Sequence, residues 1–281
     1  MKSINQYIIE KLVIKKKNIY KYSPKTKEEL RQIIKDHITK NGPNCGLNDI
    51  DVSNLTDMSN LFDSLHFDFN GDISEWDVSN VTNMKEMFQY CRKFNQNLNT
   101  WDVSQVENME GMFKACKEFE GKGLENWKTD NLKELKSAFA GCNNFNGNVS
   151  NWNVSGVKNM ENLFYACQKF DCDLRKWDVS KATFMVNTFS MCESFKGNGL
   201  ENWKTNKFEY CDRMFYRCYK LDGSTIKNWN VQNVISSNGM FSNSGINTDL
   251  SNWHMDNCLS CTDMFRRSKL ESKLKEQPKF K

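Results

Sequence analysis

Histidine is nearly missing from this chain of 281 residues: the three present, His37, His66 and His254, are scattered over unrelated parts of the sequence. A Ser/His/Asp or Cys/His catalytic grouping therefore has little to be built from. No glycine-rich loop of the kind that wraps phosphates is present. No segment is apolar enough or long enough to span a bilayer. The opening Met1-Lys2-Ser3-Ile4-Asn5-Gln6 runs into Glu10 and Lys11 before any small-residue cleavage site, so it does not read as a secretory signal peptide. The formal charge is only +4 and Lys and Arg are spread along the chain, which leaves no nucleic-acid footprint.

What the chain does have is a repeat. All eight tryptophans, Trp76, Trp101, Trp127, Trp152, Trp177, Trp203, Trp229 and Trp253, recur at gaps of 24 to 26 residues. A fixed period in that range predicts a solenoid of stacked coils. A phenylalanine column runs in step: Phe62, Phe88, Phe113, Phe139, Phe164, Phe189, Phe215, Phe241 and Phe265, which implies about nine coils. With strands stacked about 4.8 Å apart, the rod is expected to be about 40 Å long. A single coil cannot stand alone. Burying one Trp gives about 4–6 kcal/mol, whereas ordering a coil's backbone costs on the order of 25–50 kcal/mol.

The expected organisation is an N-terminal helical cap over residues 1–46, a solenoid over 47–265 and a basic C-terminal tail over 266–281. In the cap, Ser3 with Gln6 and Thr26 with Glu29 read as capping boxes, and Leu30, Ile33, Ile34, His37 and Ile38 mark the apolar stripe of a second helix stopped by Gly42-Pro43. Within a coil, Asn97 to Val103 alternates and reads as a short parallel strand. The following Val-x-x-Met-x-x-Met-Phe-x-x-Cys spacing fits a short helical turn better. The fold class is thus an α+β repeat solenoid of coils of 25–26 residues, and the tail reads as a short cap turn followed by a mobile end.

The repeating unit Trp-Asp-Val-Ser-Asn-Val-Thr-Asn-Met-x-x-Met-Phe-x-x-Cys-x-x-Phe-Asn, best seen from Trp76 onward, resembles the BspA-like leucine-rich repeat family. That resemblance covers about residues 47–265. It implies a leucine-rich-repeat-like solenoid, in cellular members surface attachment and binding of host or neighbouring-cell proteins, and it supplies no catalytic residues. Similar repeats occur in protists, large DNA viruses and bacteriophages.

Eleven cysteines without a leader suggest free thiols in a reducing compartment. Six form a column, Cys91, Cys116, Cys142, Cys167, Cys192 and Cys218, expected to be a buried small-residue column and not a disulfide ladder. Cys258-Leu259-Ser260-Cys261 lacks the further ligands that zinc needs. The Asp column (Asp77, Asp102, Asp178, with Asn153 and Asn230) is read as turn capping, because Lys128 and Lys204 share it and a calcium ladder would not accept them. The asparagines before Trp, Asn126, Asn151, Asn202, Asn228 and Asn252, are expected to form a hydrogen-bonded ladder. One place earlier, Ser74, Asn99, Glu125, Ser150, Arg175, Glu201, Lys227 and Ser251 vary freely with mixed charge, the pattern either of a strand face that reads a protein partner or of one that is simply solvated.

The expected function is a non-enzymatic protein-binding or assembly scaffold, with no cofactor and no metal. The partner is another protein, with self-assembly or docking through the N-terminal cap or basic tail also open. An extracellular adhesin and a component of a virion or other large particle are the other readings. Without a leader, an intracellular or virion-associated setting is favoured over secretion.

Overall fold

The computed structural model describes residues 20–62 and 68–279. The helix expected from Ser3, and His66, lie outside the described residues. Helix α1 spans Lys27–Asn41. It starts where the Thr26 hydroxyl accepts the Glu29 N–H at 3.1 Å, and the Glu29 carboxylate reaches back to the Lys25 N–H at 2.6 Å, so two orphan donors are satisfied at once. It ends at Gly42, which has φ 84° and gives its N–H to Ile38 O. Leu30, Ile34 and Ile38 are the buried side of α1 and join the same core as the coils. His37 is a packing residue here. Its ring meets Tyr22 edge-on at 5.1 Å, and its Nε2 lies 3.5 Å from Asp49 Oδ2.

After α1 the chain winds in stacked coils around one continuous interior that runs from Leu30 to Leu270. The eight indoles are 1–6% exposed. Each Nε1–H donates to a main-chain carbonyl of the preceding coil, at Leu47, Ile73, Leu98, Leu124, Val149, Leu174, Leu200 and Lys227, over 2.9–3.3 Å. The nine phenylalanines of the column form an unbroken ring stack with centroid steps of 5.1–5.8 Å. A second stack, Phe69, Phe94, Phe119, Phe145, Phe170 and Phe195, runs beside it at 5.7–6.2 Å. The tryptophans and phenylalanines thus form the internal spine that their spacing predicts.

The path of each coil differs from the expected strand and helical turn. Asn97 to Val103 is not a strand. Trp101 N–H closes a three-residue turn on Leu98 O, and Val106 N–H closes another on Val103 O. Alternation misled because successive buried residues are separated by turns of this length, not by a pleat. Between coils the described residues show isolated parallel bridges in place of strands, in two main runs, Asp57–Asn83–Asn108–Glu134 and Asn159–Phe184–Tyr210–Ser236–Ser260. They fall one residue before the first Met position of the unit, at the start of the stretch expected to be helical.

That stretch is also not a helix. In the coil around Phe113, Gly111 and Ala115 have φ of 59° and 64°, and left-handed residues at this spacing break any helix. Their effect is to turn every second peptide along the rod axis. Met109, Gly111, Phe113 and Ala115 give their N–H groups to Glu134, Lys136, Ala138 and Ala140 of the next coil, at 2.7–2.9 Å. The peptides in between close local turns, such as Met112 N–H to Met109 O. Three-residue spacing therefore marks turns correctly and their continuation into a helix wrongly. Only Leu124–Asn126, Leu200–Asn202 and Leu274–Glu276 are 3₁₀ among the described residues.

Residues 268–279 pack onto the last full coil, where a mobile end was expected. Leu270 is fully buried. Glu276 O accepts Leu250 N–H, and His254 bridges Lys279 in parallel. Residues 268–279 are thus a partial coil that covers the last full one, because the exposed interior behind Trp253 and Phe265 needs a lid.

Candidate functional site

The variable column before the tryptophans lies on a row of corners instead of a strand face. Ser74, Asn99, Ser150, Arg175 and Ser251 each give their main-chain N–H to the Asp or Asn side chain two residues earlier, at 2.8–3.1 Å. Glu125 and Glu201 sit in the 3₁₀ turns entered through Gly123 and Gly199, and Lys227 is exposed. Gly123 has φ 86°, and a Cβ there would come within 2.3 Å of Asn99 N, so only glycine fits. Asn99, Glu125, Arg175, Glu201 and Lys227 are exposed, while Ser74, Ser150 and Ser251 are half-buried. Arg175 is tied to its own Asp173 at 2.7 Å, and that guanidinium holds the Asp173 carboxyl below its ordinary value. The neighbouring Asn126, Asn151, Asn202, Asn228 and Asn252 are exposed and form no ladder; Asn151 only accepts from Lys176.

The cysteine column is buried and unoxidised. Each thiol from Cys116 to Cys218 points to the carbonyl of the stacked phenylalanine one coil earlier: Cys116 to Phe88, Cys142 to Phe113, Cys167 to Phe139, Cys192 to Phe164 and Cys218 to Phe189, at 2.9–3.1 Å. The column is a hydrogen-bonded rail and not merely apolar filling. Burial pushes these thiols well above their ordinary value, which keeps them protonated and poor nucleophiles. Asp102 and Asp178 accept from Ser104 and Ser180 and lie below their ordinary value for that reason. Among the described residues no group of three or more His, Cys, Asp or Glu is placed to hold a metal ion.

The face made by the axial ladder carries the distinctive surface. Along most of it the bridge position is Asn or another small polar residue, but in two adjacent coils it is Phe184 and Tyr210, stacked at 5.1 Å with planes 4° apart. Phe184 is 41% exposed, which is large for a stacked phenyl ring. Three residues beyond Tyr210 along the chain begins a hollow of about 500 Å³ lined by Arg213, Tyr216, Asn238, Gly239, Ser242, Asn243, Thr262, Asp263, Arg266 and Arg267. Gly239 and Ser242, small residues in the middle coil, line it between the arginines of the coils on either side. Arg217 lies beside it with its guanidinium 5.2 Å from the Tyr216 ring centre.

The family described as "Mycoplasma protein of unknown function, DUF285" matches three overlapping stretches, residues 28–123, 112–221 and 183–277. The chain belongs to the DUF285 family. The three matches lie in tandem, which agrees with the repeat fold, and they take in α1 as well as the closing turns. No curated protein matches this DUF285 chain. A solved structure of a TLR13–ssRNA13 complex aligns with 85% of this chain and 47% of that one, at 12% identity and a TM-score of 0.26. The chain spans about half of that neighbour, and likeness at this level carries no argument about fold or ligand.

Sequence reasoning missed the aromatic pair and the arginine hollow. Both occupy columns that hold other residue types in most coils, and a repeat alignment directs attention to what recurs. The available signal was the departure itself: Phe184 and Tyr210 where Asn83, Asn108 and Asn159 stand, and Arg213, Arg266 and Arg267 on one end of the chain.

Proposed function

We propose that this protein is a non-enzymatic protein-binding or assembly scaffold, a BspA-like, leucine-rich-repeat-like solenoid whose partner surface is the ladder face near its C-terminal end. The observation that carries this is the exposed Phe184–Tyr210 stack beside an arginine-lined hollow. Tyr, Phe and Arg are the residues around which binding energy concentrates in protein interfaces, and here the fold does not use the outer edges of these side chains. The recurring residues all have structural work: indole N–H to carbonyl, thiol to carbonyl, Asp or Asn to turn N–H. Catalysis has no matching cluster. The variable corners from Asn99 to Lys227 would form a second, polar contact row.

Affinity capture from source material followed by quantitative comparison tests this. The wild-type chain should retain a protein that the Phe184→Ala/Tyr210→Ala variant loses, while both melt within about 1 kcal/mol of each other, since neither ring is part of the spine. Equal capture by both chains would refute the placement.

A further inference from the structure

We propose that the hollow between Arg213 and Arg266–Arg267 is a receptor for an acidic segment of a protein partner; this rests on the protein-binding reading and names the chemistry it recognises. Charge balance is the first reason. Upstream on the same face cations are neutralised from coil to coil, by Lys85 with Glu110 at 2.9 Å and Lys136 with Glu161 at 2.8 Å. At the hollow this stops. Among the described residues the guanidinium groups of Arg213 and Arg267 have no ion-pair or hydrogen-bond partner, and Arg266 reaches only Asp263, at 3.1 Å. Three exposed arginines around a hollow also lined by small Gly239 and Ser242 suit carboxylates, which guanidinium groups bind in a planar two-point fashion.

The second reason is independent of side chains. The axial peptides whose N–H points toward the C-terminal end form four rows. One runs Asn60 to Lys85, Glu86 to Glu110, Gly111 to Lys136, Ser137 to Glu161, Asn162 to Val186, Asn187 to Asp212, Arg213 to Asn238 and Gly239 to Thr262, always N–H to carbonyl toward the C-terminal end. Three more rows start at Met58, Phe62 and Tyr90 and end at Ser260, Met264 and Arg266, the first of them interrupted between Glu134 and Asn159. An α-helix owes its macrodipole to a similar bundle of aligned, hydrogen-bonded peptide rows. In these four rows the sense is opposite relative to chain direction; one row, from Thr82 to Thr56 through Leu259 to Ile235, runs against them, so the net positive pole lies at the C-terminal coil, which carries left-handed Asp263 and Arg267. Alternating left-handed residues of this kind make anion-binding concavities. One carboxylate is already seated there: Glu271 accepts the Arg267 N–H at 2.9 Å.

Geometry selects an acidic peptide over other anions. Arg213 and Arg266 stand two coils apart, roughly 10 Å at the usual strand spacing, too far for one small anion to satisfy both. Same-side carboxylates of an extended peptide recur about every 7 Å, so two of them can engage the two edges. A nucleic-acid backbone would need a continuous cationic track, which the paired lysines and glutamates upstream do not offer. Tyr216, with Phe184 and Tyr210 beyond it, gives apolar surface for the side chains between the acids.

The test is fluorescence anisotropy with a labelled peptide of alternating Glu and Ala, its Gln counterpart, and a labelled single-stranded oligonucleotide of similar length. The Glu peptide should bind, weaken with salt, and lose at least about tenfold in affinity in Arg213→Gln/Arg267→Gln, a substantial interface loss; the Gln peptide should not bind. Removing the same charge elsewhere, in Lys204→Gln/Lys207→Gln, should change little. Equal loss in both variants, tighter binding of the oligonucleotide, or no binding of the Glu peptide at millimolar concentration would each overturn the proposal. Circular dichroism melts confirm that the variants fold. If Arg213→Gln/Arg267→Gln still captures the protein that Phe184→Ala/Tyr210→Ala loses, the scaffold reading stands and this one falls.

Discussion

Replacing Trp152 by alanine should reveal what holds the coils together. Its indole is 2% exposed, stacks on Trp127 at 5.7 Å with planes 9° apart, leans on Phe139 at 5.8 Å, and donates to Leu124 O at 3.0 Å. Deleting a buried aromatic ring costs about 3–5 kcal/mol through lost transfer energy and the cavity left behind. Leaving Leu124 O without its partner adds about 1 kcal/mol. Trp152→Phe separates the two contributions, because it keeps a ring in the stack and removes only the donor; it should cost about 1–3 kcal/mol. Urea unfolding followed by circular dichroism gives both numbers. Because coils are held mainly by their neighbours, hydrogen exchange should accelerate at Phe139 and Phe164 on either side, not at Trp152 alone. A loss below about 1 kcal/mol for the alanine variant, within the scatter of surface substitutions, would show that the spine is not the source of stability.

Two further outcomes follow from the rails beside the spine. The six column thiols should resist a thiol reagent at pH 8 in the folded chain and react in urea, whereas half-buried Cys45, Cys172, Cys258 and Cys261 should be reached earlier; native labelling of Cys142 at the unfolded rate would contradict its bond to Phe113 O. Acid should weaken the fold through the capping carboxylates. Asp102 and Asp178 lie below the ordinary 3.8, so their contribution is complete above that value and is lost as pH falls through their lower folded values. Asp102→Asn should keep the turn, as Asn153 does at the same position with its 3.1 Å bond to Ser155 N–H, and should flatten the pH dependence of urea midpoints below pH 4; an unchanged acid slope would remove Asp102 from the cause.

The spine was legible because stacking imposes one chemical demand at one position in every coil. A Trp that must donate to the coil before it, and a Phe that must lie on the Phe below, cannot drift without losing both neighbours, so the period survives in the sequence. The main-chain path was less legible. Both left-handed positions of each coil admit several residue types: Glu86, Ser137 and Arg213 occupy one of them as well as Gly111 and Gly239. Only the Gly, Asn and Asp members of these columns hint at positive φ. The aromatic pair and the arginines were illegible for the opposite reason, since they serve a surface that the repeat does not dictate.

The axial ladder also explains why the two ends of the rod are closed by opposite charges. At the first coil, the carbonyl end of the rows, α1 contributes cations: Arg31 Nη1 donates to Asn60 O, the carbonyl of an intervening peptide, at 2.6 Å, and Lys27 Nζ bonds the side chains of Asp57 and Ser59 at 2.7 and 2.8 Å. Burial alone would raise the Asp57 carboxyl, but the bonds from Lys27 and Ser59 more than offset it and hold it below its ordinary value. At the last coil the amide ends face outward and meet the Glu271 carboxylate. A chain built from identical coils would carry the same charge at both ends. This one places cations at the carbonyl end and a carboxylate at the amide end, as helices do at their own termini. Four rows end at this pole, Glu271 accepts from the amide end of one of them, and the rest adjoins Arg266 and Arg267. The positive surface at that end is therefore a consequence of how the coils hydrogen-bond to one another, and arginine side chains strengthen it.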